Sequence, residues 1–342
     1  MVYKAELHAH LEGTLSPQKF LELASKNKIS IPENVLSKDK TYYHWEKSND
    51  PGQTLMAFVT TYDKATAVIQ TPEDYYDITL DYLKRCAQQN SIYQELIIYA
   101  NPEPIVGISY KDMIDAIADA IDHARDSYDI ECRLLASLVR HFGIEQSMKD
   151  AKTVTSYPHK YVTGITLSGA ETSHQIADFV PAYHHITDEL GLQKTAHAGE
   201  VTGPQTIKQC YELLGITRFG HMVRITEDPD LLKKMVEIGA VAEVCPSSNI
   251  ALGLYPDYES HPLKTMYDAG LSITINSDDP PFFKTDLERE YHIAQNLLGV
   301  CDETMTHITQ NAINAAFVDE TTREKLSHKI NHAIPPLVPA TV

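Results

Sequence analysis

Along 342 residues, short apolar runs recur with helical patterns between them. Eight such runs are Lys4–His8, Tyr93–Tyr99, Glu131–Leu138, Tyr161–Leu167, Gln193–His197, Arg218–His221, Val241–Cys245 and Ser272–Asn276. Several carry β-branched residues, with Gly, Asn or Asp nearby, as strands do. Gln205–Leu214, Pro229–Ile238 and His261–Ala269 read as helices, and Gly239 and Gly270 follow the last two as C-terminal caps. Strands that alternate with helices imply parallel pairing, because each crossover returns the chain to the same edge. Eight such units suggest an α/β chain folded as a (β/α)8 TIM barrel. A barrel of about 250 residues with insertions accounts for the length. We expect a single domain over residues 1–342.

The first two runs are separated by residues 11–92, too many for an ordinary connection. Leu15–Lys26 reads as a helix, with Ser16 as N-cap and Pro17 at the first helical position. A Lys- and Tyr-rich loop, Ser37–Gly52, holds the only tryptophan, Trp45. Gln53–Val68 resumes a helical pattern with Leu55, Phe58, Val59 and Tyr62 on one face. That stripe suits packing on the barrel. It equally suits a lid over the C-terminal mouth, where barrel enzymes keep their active sites. Residues 285–333 read as C-terminal helices that cover the barrel, and Pro335, Pro336 and Pro339 mark a frayed end.

With 43% hydrophobic residues the chain can fill a large core. Its net charge of −18 disfavours nucleic-acid polymers and anionic membranes as partners. Cys86, Cys132, Cys210, Cys245 and Cys301 are scattered and odd in number, so they read as buried thiols of a reducing compartment. The N-terminus shows no apolar signal segment, and no apolar run approaches a membrane span. The expected location is the cytoplasm.

Chemistry-bearing residues collect at the ends of the runs. His8 and His10 lie two apart, so an extended backbone aims both imidazoles to one face. His197 ends the fifth run and His221 the sixth, while Asp278 and Asp279 follow the eighth. In a barrel all of them converge on one mouth. Three histidines and a carboxylate suit Zn²⁺, which lowers the pKa of a bound water toward about 7. His8, His10, His197 and Asp278 are the expected ligands. Glu200, three residues past a ligand, is placed to shuttle a proton. His221 could take the water's proton, orient the hydroxide or serve as a fifth ligand. Ser247, Ser248 and Asn249 could line the mouth, although the segment also fits an ordinary turn. Gly169 would let backbone approach a flat ligand closely. Arg140 and His141 read as ion-pair or structural residues, and the remaining histidines, His261 among them, as bystanders.

Five segments carry a resemblance: Glu6-Leu7-His8-Ala9-His10-Leu11-Glu12-Gly13, Ala196-His197-Ala198-Gly199-Glu200, Gly220-His221-Met222-Val223-Arg224, Cys245-Pro246-Ser247-Ser248-Asn249 and Asn276-Ser277-Asp278-Asp279-Pro280. In this order they resemble the adenosine deaminase family of metal-dependent amidohydrolases. The resemblance implies zinc-dependent hydrolysis of a purine 6-amino group, with one zinc per subunit on His8, His10, His197 and Asp278. It implies that Glu200 protonates N1, His221 assists the hydroxide, Asp279 contacts N7 and Gly169 donates its N–H to N3. It further implies that Glu12 meets the ribose and that Leu55, Phe58, Val59 and Tyr62 face the substrate. Ser247-Ser248-Asn249 and Pro280-Pro281-Phe282-Phe283 look more like the bacterial adenosine deaminases, which implies a purine nucleoside substrate in purine salvage. The alternatives are a deaminase of adenine or of another 6-aminopurine, and a silent purine-binding barrel. Two departures stand out: Ala170 where the family usually has Asp, and Met222 where it usually has Gly.

Overall fold

The computed structural model describes residues 2–333, so the three C-terminal prolines lie outside the described residues. The strands are β1 (Lys4–His10), β2 (Ser91–Tyr99), β3 (Glu131–Val139), β4 (Val162–Ser168), β5 (Gln193–Lys194), β6 (Ala196–Ala198), β7 (Arg218–His221), β8 (Val241–Val244) and β9 (Ser272–Ile275). All pairings are parallel, in the orders β1-β2-β3-β4-β5 and β6-β7-β8-β9. Thr195 separates β5 from β6, and its N–H still donates to the Ile165 carbonyl at 2.9 Å. The fifth expected run is therefore one barrel position broken at a single residue. β9 returns to β1 through an Ala9–Asp278 bridge. There His10 N–H donates to Asp278 O at 2.9 Å and Asp278 N–H to His8 O at 3.1 Å. The sheet thus closes as the TIM barrel that the alternation implies.

β2 and β3 are buried along almost their whole length because helices cover them outside and side chains fill the barrel inside. Helix α1 (Pro17–Lys26) starts as expected, with Lys19 N–H donating to the Ser16 hydroxyl at 3.2 Å. Helix α2 runs Pro51–Thr66, two residues earlier at each end than its pattern suggests, because Asp50 caps it through Gly52 N–H. A third helix, α3 (Pro72–Gln88), opens on a Thr71–Asp74 capping box. It fills the rest of the insertion and supplies Tyr75 and Tyr82 to the site below.

On α2, Leu55 and Phe58 are buried, and Val59 and Tyr62 are half-buried. Phe58 sits 4.9 Å from Phe283 between ring centroids, and Tyr62 lies 5.6 Å from Phe282. The stripe therefore packs on the segment after β9 and roofs the barrel mouth. Helices Leu287–Leu298, Asp302–Ala315 and Glu320–Ala333 cover the barrel as expected. A separate apolar cluster joins Ala5, Leu7 and Tyr93 to Ala312, Ile313 and Leu326. Cys301 is exposed, unlike the other four cysteines. It stands just before a surface helix, outside the apolar interior that its residue type favours. Among the described residues no helix is long and apolar enough to cross a membrane.

Candidate active site

The strand ends bring the expected residues to one point. His8 and His10 share one face of β1, and His197 sits in β6 opposite them. His10 Nε2 lies 3.2 Å from His197 Nε2 and 3.4 Å from Asp278 Oδ1. His8 Nε2 is 3.6 Å from the same carboxylate oxygen. Candidate ligand atoms of His8, His197, His221 and Asp278 all fall within 4.8 Å of one another, and those of His10, Asp278 and Asp279 form a second such group. His221 is thus gathered as closely as His10.

The nitrogens turned away from this point decide which lone pairs are free. His8 Nδ1 meets Glu243 Oε2 at 2.8 Å, and His197 Nδ1 meets the Leu167 carbonyl at 3.1 Å. Both partners are acceptors, so both Nδ1 atoms carry the proton in the neutral ring. In that form each Nε2 lone pair is free, His8's beside Asp278 and His197's beside His10 Nε2. His8 Nε2 is buried with no hydrogen-bond partner, which a bound cation would resolve. The donor set is nitrogen-rich with one carboxylate, the chemistry that suits zinc. Burial opposes charge on His8, but Asp278 and Glu243 outweigh it and raise the ring to about 10, so without a cation Nε2 also holds a proton, which a bound metal would displace to reach the lone pair. Burial lowers His10 to about 4. Burial also works against the Asp278 carboxylate, yet His8 and His221 hold it below the usual range.

Glu200 stands on the loop after β6. The Glu171 carboxylate accepts from the backbone N–H groups of Glu200, Val201 and Thr202 at 3.2, 2.7 and 2.7 Å. This pins the loop and sets a negative charge beside Glu200. Burial, then Glu171 and Asp278, push the Glu200 carboxyl well above its ordinary value. It is therefore a carboxylic acid that can give up a proton. His221 Nε2 lies 3.6 Å from Glu200 Oε1. Burial and the neighbouring Asp278 also push the Asp279 carboxyl well above its ordinary value. His221 and Asp278 hold left-handed backbone, with φ of 61° and 64°, a strain of about 1–3 kcal/mol each that the surrounding structure maintains.

A family profile described as adenosine deaminase matches residues 3–333. The chain belongs to the adenosine deaminase family. Adenine deaminase from Rhizobium rhizogenes is 39% identical over 323 residues, 94% of this chain and 97% of that one. The crystal structure of adenine deaminase from Arthrobacter aurescens superposes with a TM-score of 0.87 at 25% identity, covering 97% of this chain and 99% of that one. An amidohydrolase from Burkholderia ambifaria, solved with bound zinc, shares the fold with a TM-score of 0.86 at 24% identity, covering 97% and 90%. The sequence segments point to adenosine, whereas these named deaminases act on adenine.

The family site opens into a cavity of about 340 Å³. Glu12, Gly169, Asp279, Leu55, Phe58, Val59 and Tyr62 all line it, together with His10, His197, Glu200, His221 and Asp278. Gly169 has φ +81°, and a Cβ there would sit 2.6 Å from His141 Nδ1. Among the described residues no Lys or Arg lines the wall. Burial raises the Glu12 carboxyl to about 7.

Two expectations need correction. His141 is not only structural: it lines the cavity and accepts from Ala170 N–H at 3.4 Å. Ser247 and Ser248 do not line it, because Pro246 starts a short helix that turns them into the protein. Arg140 does act structurally, donating from Nη2 to the His197 carbonyl at 2.6 Å. Sequence reading missed Glu243, which sits inside a strand where charge has no periodic signature. It also missed His261, which reaches the site from a loop, and it named Asn249 only as a residue of the mouth, without its contact to His221. Met222 is fully buried at φ 60°, where a glycine would be unstrained.

Proposed function

We propose that this protein hydrolyses the 6-amino group of a purine, with free adenine as its preferred substrate and ammonia as the leaving product. One observation supports the reaction above all: the buried Glu200 carboxyl, pushed well above its ordinary value by burial and by Glu171, faces a cluster of histidine nitrogens across one cavity. In this reading His8, His10, His197 and Asp278 hold one zinc ion. When bound there, zinc acidifies a coordinated water toward a pKa of about 7. Glu200 gives its proton to purine N1, which makes C6 electrophilic. Asp279 meets N7, and the Gly169 N–H meets N3. His221 stands beside the attacking water. A C–O bond forms at C6, one proton of the attacking water passes to the 6-amino group, the C–N bond breaks to release ammonia, and the remaining hydroxyl proton restores Glu200 as the 6-oxo group forms.

The choice of adenine rests on relatives that are named adenine deaminases and align over nearly the whole chain. It revises the adenosine expectation and leaves the nucleoside as the second reading. Glu12 then accepts from the purine's own N9–H, which adenosine lacks, and not from a sugar hydroxyl. A phosphorylated substrate is disfavoured because its charge would meet Glu12 and Asp63 with no Lys or Arg among the described residues of the cavity wall. The test is kcat/KM of zinc-loaded protein on adenine, adenosine, deoxyadenosine and AMP, followed by loss of the aminopurine absorbance. Adenine should lead. A faster rate on adenosine restores the nucleoside reading, and no turnover of any of the four at high enzyme overturns the function.

A further inference from the structure

We propose that Asn249 and His261 are positioning residues that fix the proton of His221 on Nε2, making this ring a hydrogen-bond donor and not a zinc ligand. The inference rests on the placement of His221 beside the attacking water. Its evidence is a chain of three hydrogen bonds that begins at a backbone amide. Leu263 N–H donates to His261 Nδ1 at 3.1 Å. A backbone N–H can only donate, so His261 Nδ1 must accept. The neutral ring therefore carries its proton on Nε2. Burial, which lowers this ring to about 4, keeps it neutral at pH 7. His261 Nε2–H then donates to Asn249 Oδ1 at 3.0 Å. That bond sets which end of the amide faces which neighbour. The Asn249 amino group is left pointing at His221 Nδ1, 3.4 Å away. An amide NH₂ offers only donors, so Nδ1 of His221 accepts and its proton sits on Nε2.

The consequence sorts the buried histidines of one cluster by the polarity behind them. His8 and His197 have acceptor oxygens at Nδ1, so in the neutral ring each turns an Nε2 lone pair into the cluster. His221 has a donor at Nδ1, so it turns an N–H toward Glu200 and Asp278, at 3.6 and 4.0 Å. Proximity alone gathers His221 with the candidate ligands, yet its occupied Nε2 cannot donate a lone pair to a metal. Nor can that atom take the water's proton. It can donate to the water oxygen and hold its remaining lone pair toward C6. Nothing adjacent in sequence links the three residues: Asn249 is 28 positions from His221, and His261 a further 12.

The test reads the tautomer directly. Imidazole ¹⁵N resonances of the zinc-loaded protein distinguish protonated from bare ring nitrogens, and His221→Gln assigns the signal. Wild type should show Nε2–H on His221. Asn249→Asp replaces the donor by an acceptor, so the proton should move to Nδ1. Turnover should then fall by on the order of 10- to 100-fold, as for other residues that orient a site group, with KM little changed. His261→Gln keeps a donor toward Asn249 and should keep the wild-type tautomer and most of the rate. His261→Ala frees the amide to turn, and should lose both. These two variants also serve if Asn249→Asp does not fold. A proton on Nδ1 in wild type overturns the inference. So does a tautomer that Asn249→Asp and His261→Ala leave unchanged. The resonances remain readable if no purine is turned over, so failure of the substrate reading is separate.

Discussion

Asp279 is held in place by a residue with no side chain. A Cβ on Gly13 would fall 1.7 Å from Asp279 Oδ1 and 2.7 Å from its Cγ. Gly13→Ala must therefore push the carboxyl away, although Gly13 has no side chain of its own to offer metal or substrate. A displacement of about 1 Å at a reacting group can cost roughly 10²-fold. We expect that loss in kcat/KM with zinc content unchanged, measured by metal analysis beside the rate. Unchanged activity would mean that Asp279 does not contact the purine. Glu200 has the opposite character: its chemistry, not its position, is what matters. Glu200→Gln keeps the shape and loses the acidic proton. It should bind zinc normally and lose about 10²–10⁴-fold or more in turnover. A glutamine variant of wild-type rate would remove Glu200 from the mechanism.

Strand ends carry the site, and a buried ion chain runs from it into the sheet. Glu243 on β8 meets His8 at 2.8 Å, Arg218 on β7 meets Glu243 at 2.6 Å, and the same guanidinium meets Glu95 on β2 at 2.5 Å. All are under 5% exposed in their side chains. Arg218→Met would strand two carboxylates in the interior, where breaking a buried pair costs about 3–5 kcal/mol. Urea unfolding should show that loss, and zinc affinity should fall as Glu243 loses its grip on His8; an unchanged midpoint would mean that the chain is not coupled to stability. Glu290, on helix Leu287–Leu298, gives a second test at this scale. Burial raises its carboxyl from 4.5 to about 7. Between those values the unfolded chain gives up this proton while the folded one keeps it, so stability falls as pH rises. The fall should amount to on the order of 3 kcal/mol and be complete above about pH 7. Glu290→Gln, which can still accept from Ser247 N–H, should flatten that slope in pH-resolved unfolding. A slope equal to wild type would assign the titration elsewhere.

These elements also show what the residues alone could say. β2 and β3 were legible because parallel strands covered on both faces read as apolar runs. His8, His10, His197, Asp278 and Glu200 were legible because each sits at a strand end within a short motif. Glu243 and the pairing of Asn249 with His221 and His261 were not, since these partners lie apart in sequence and only the fold brings them together. The helix α3 escaped because its Tyr- and Asp-rich face carries few aliphatic residues. The substrate stayed open for a similar reason: Glu12 and the lid stripe fit either a sugar or a bare purine edge.

At the scale of the whole barrel, the weakest join coincides with the expected metal. β1 and β9 meet through a single bridge and a few hydrogen bonds, whereas β1–β2 and β2–β3 pair along most of their length. His8 and His10 stand on one side of that seam and Asp278 on the other. A zinc ion held by all three would tie the first and last strands together without adding any pairing. Ligand binding to the folded state alone stabilises it by about 4.1 kcal/mol at a thousand-fold excess over Kd. Chelator-treated protein should therefore unfold at lower denaturant, and restored zinc should recover the midpoint. The location is the sharper expectation. Backbone amides of His10 and Asp278, which bond across the seam, should lose hydrogen-exchange protection on metal removal, while those of β3 should keep theirs. Equal loss across the barrel would show that the metal stabilises the fold as a whole and not its closure.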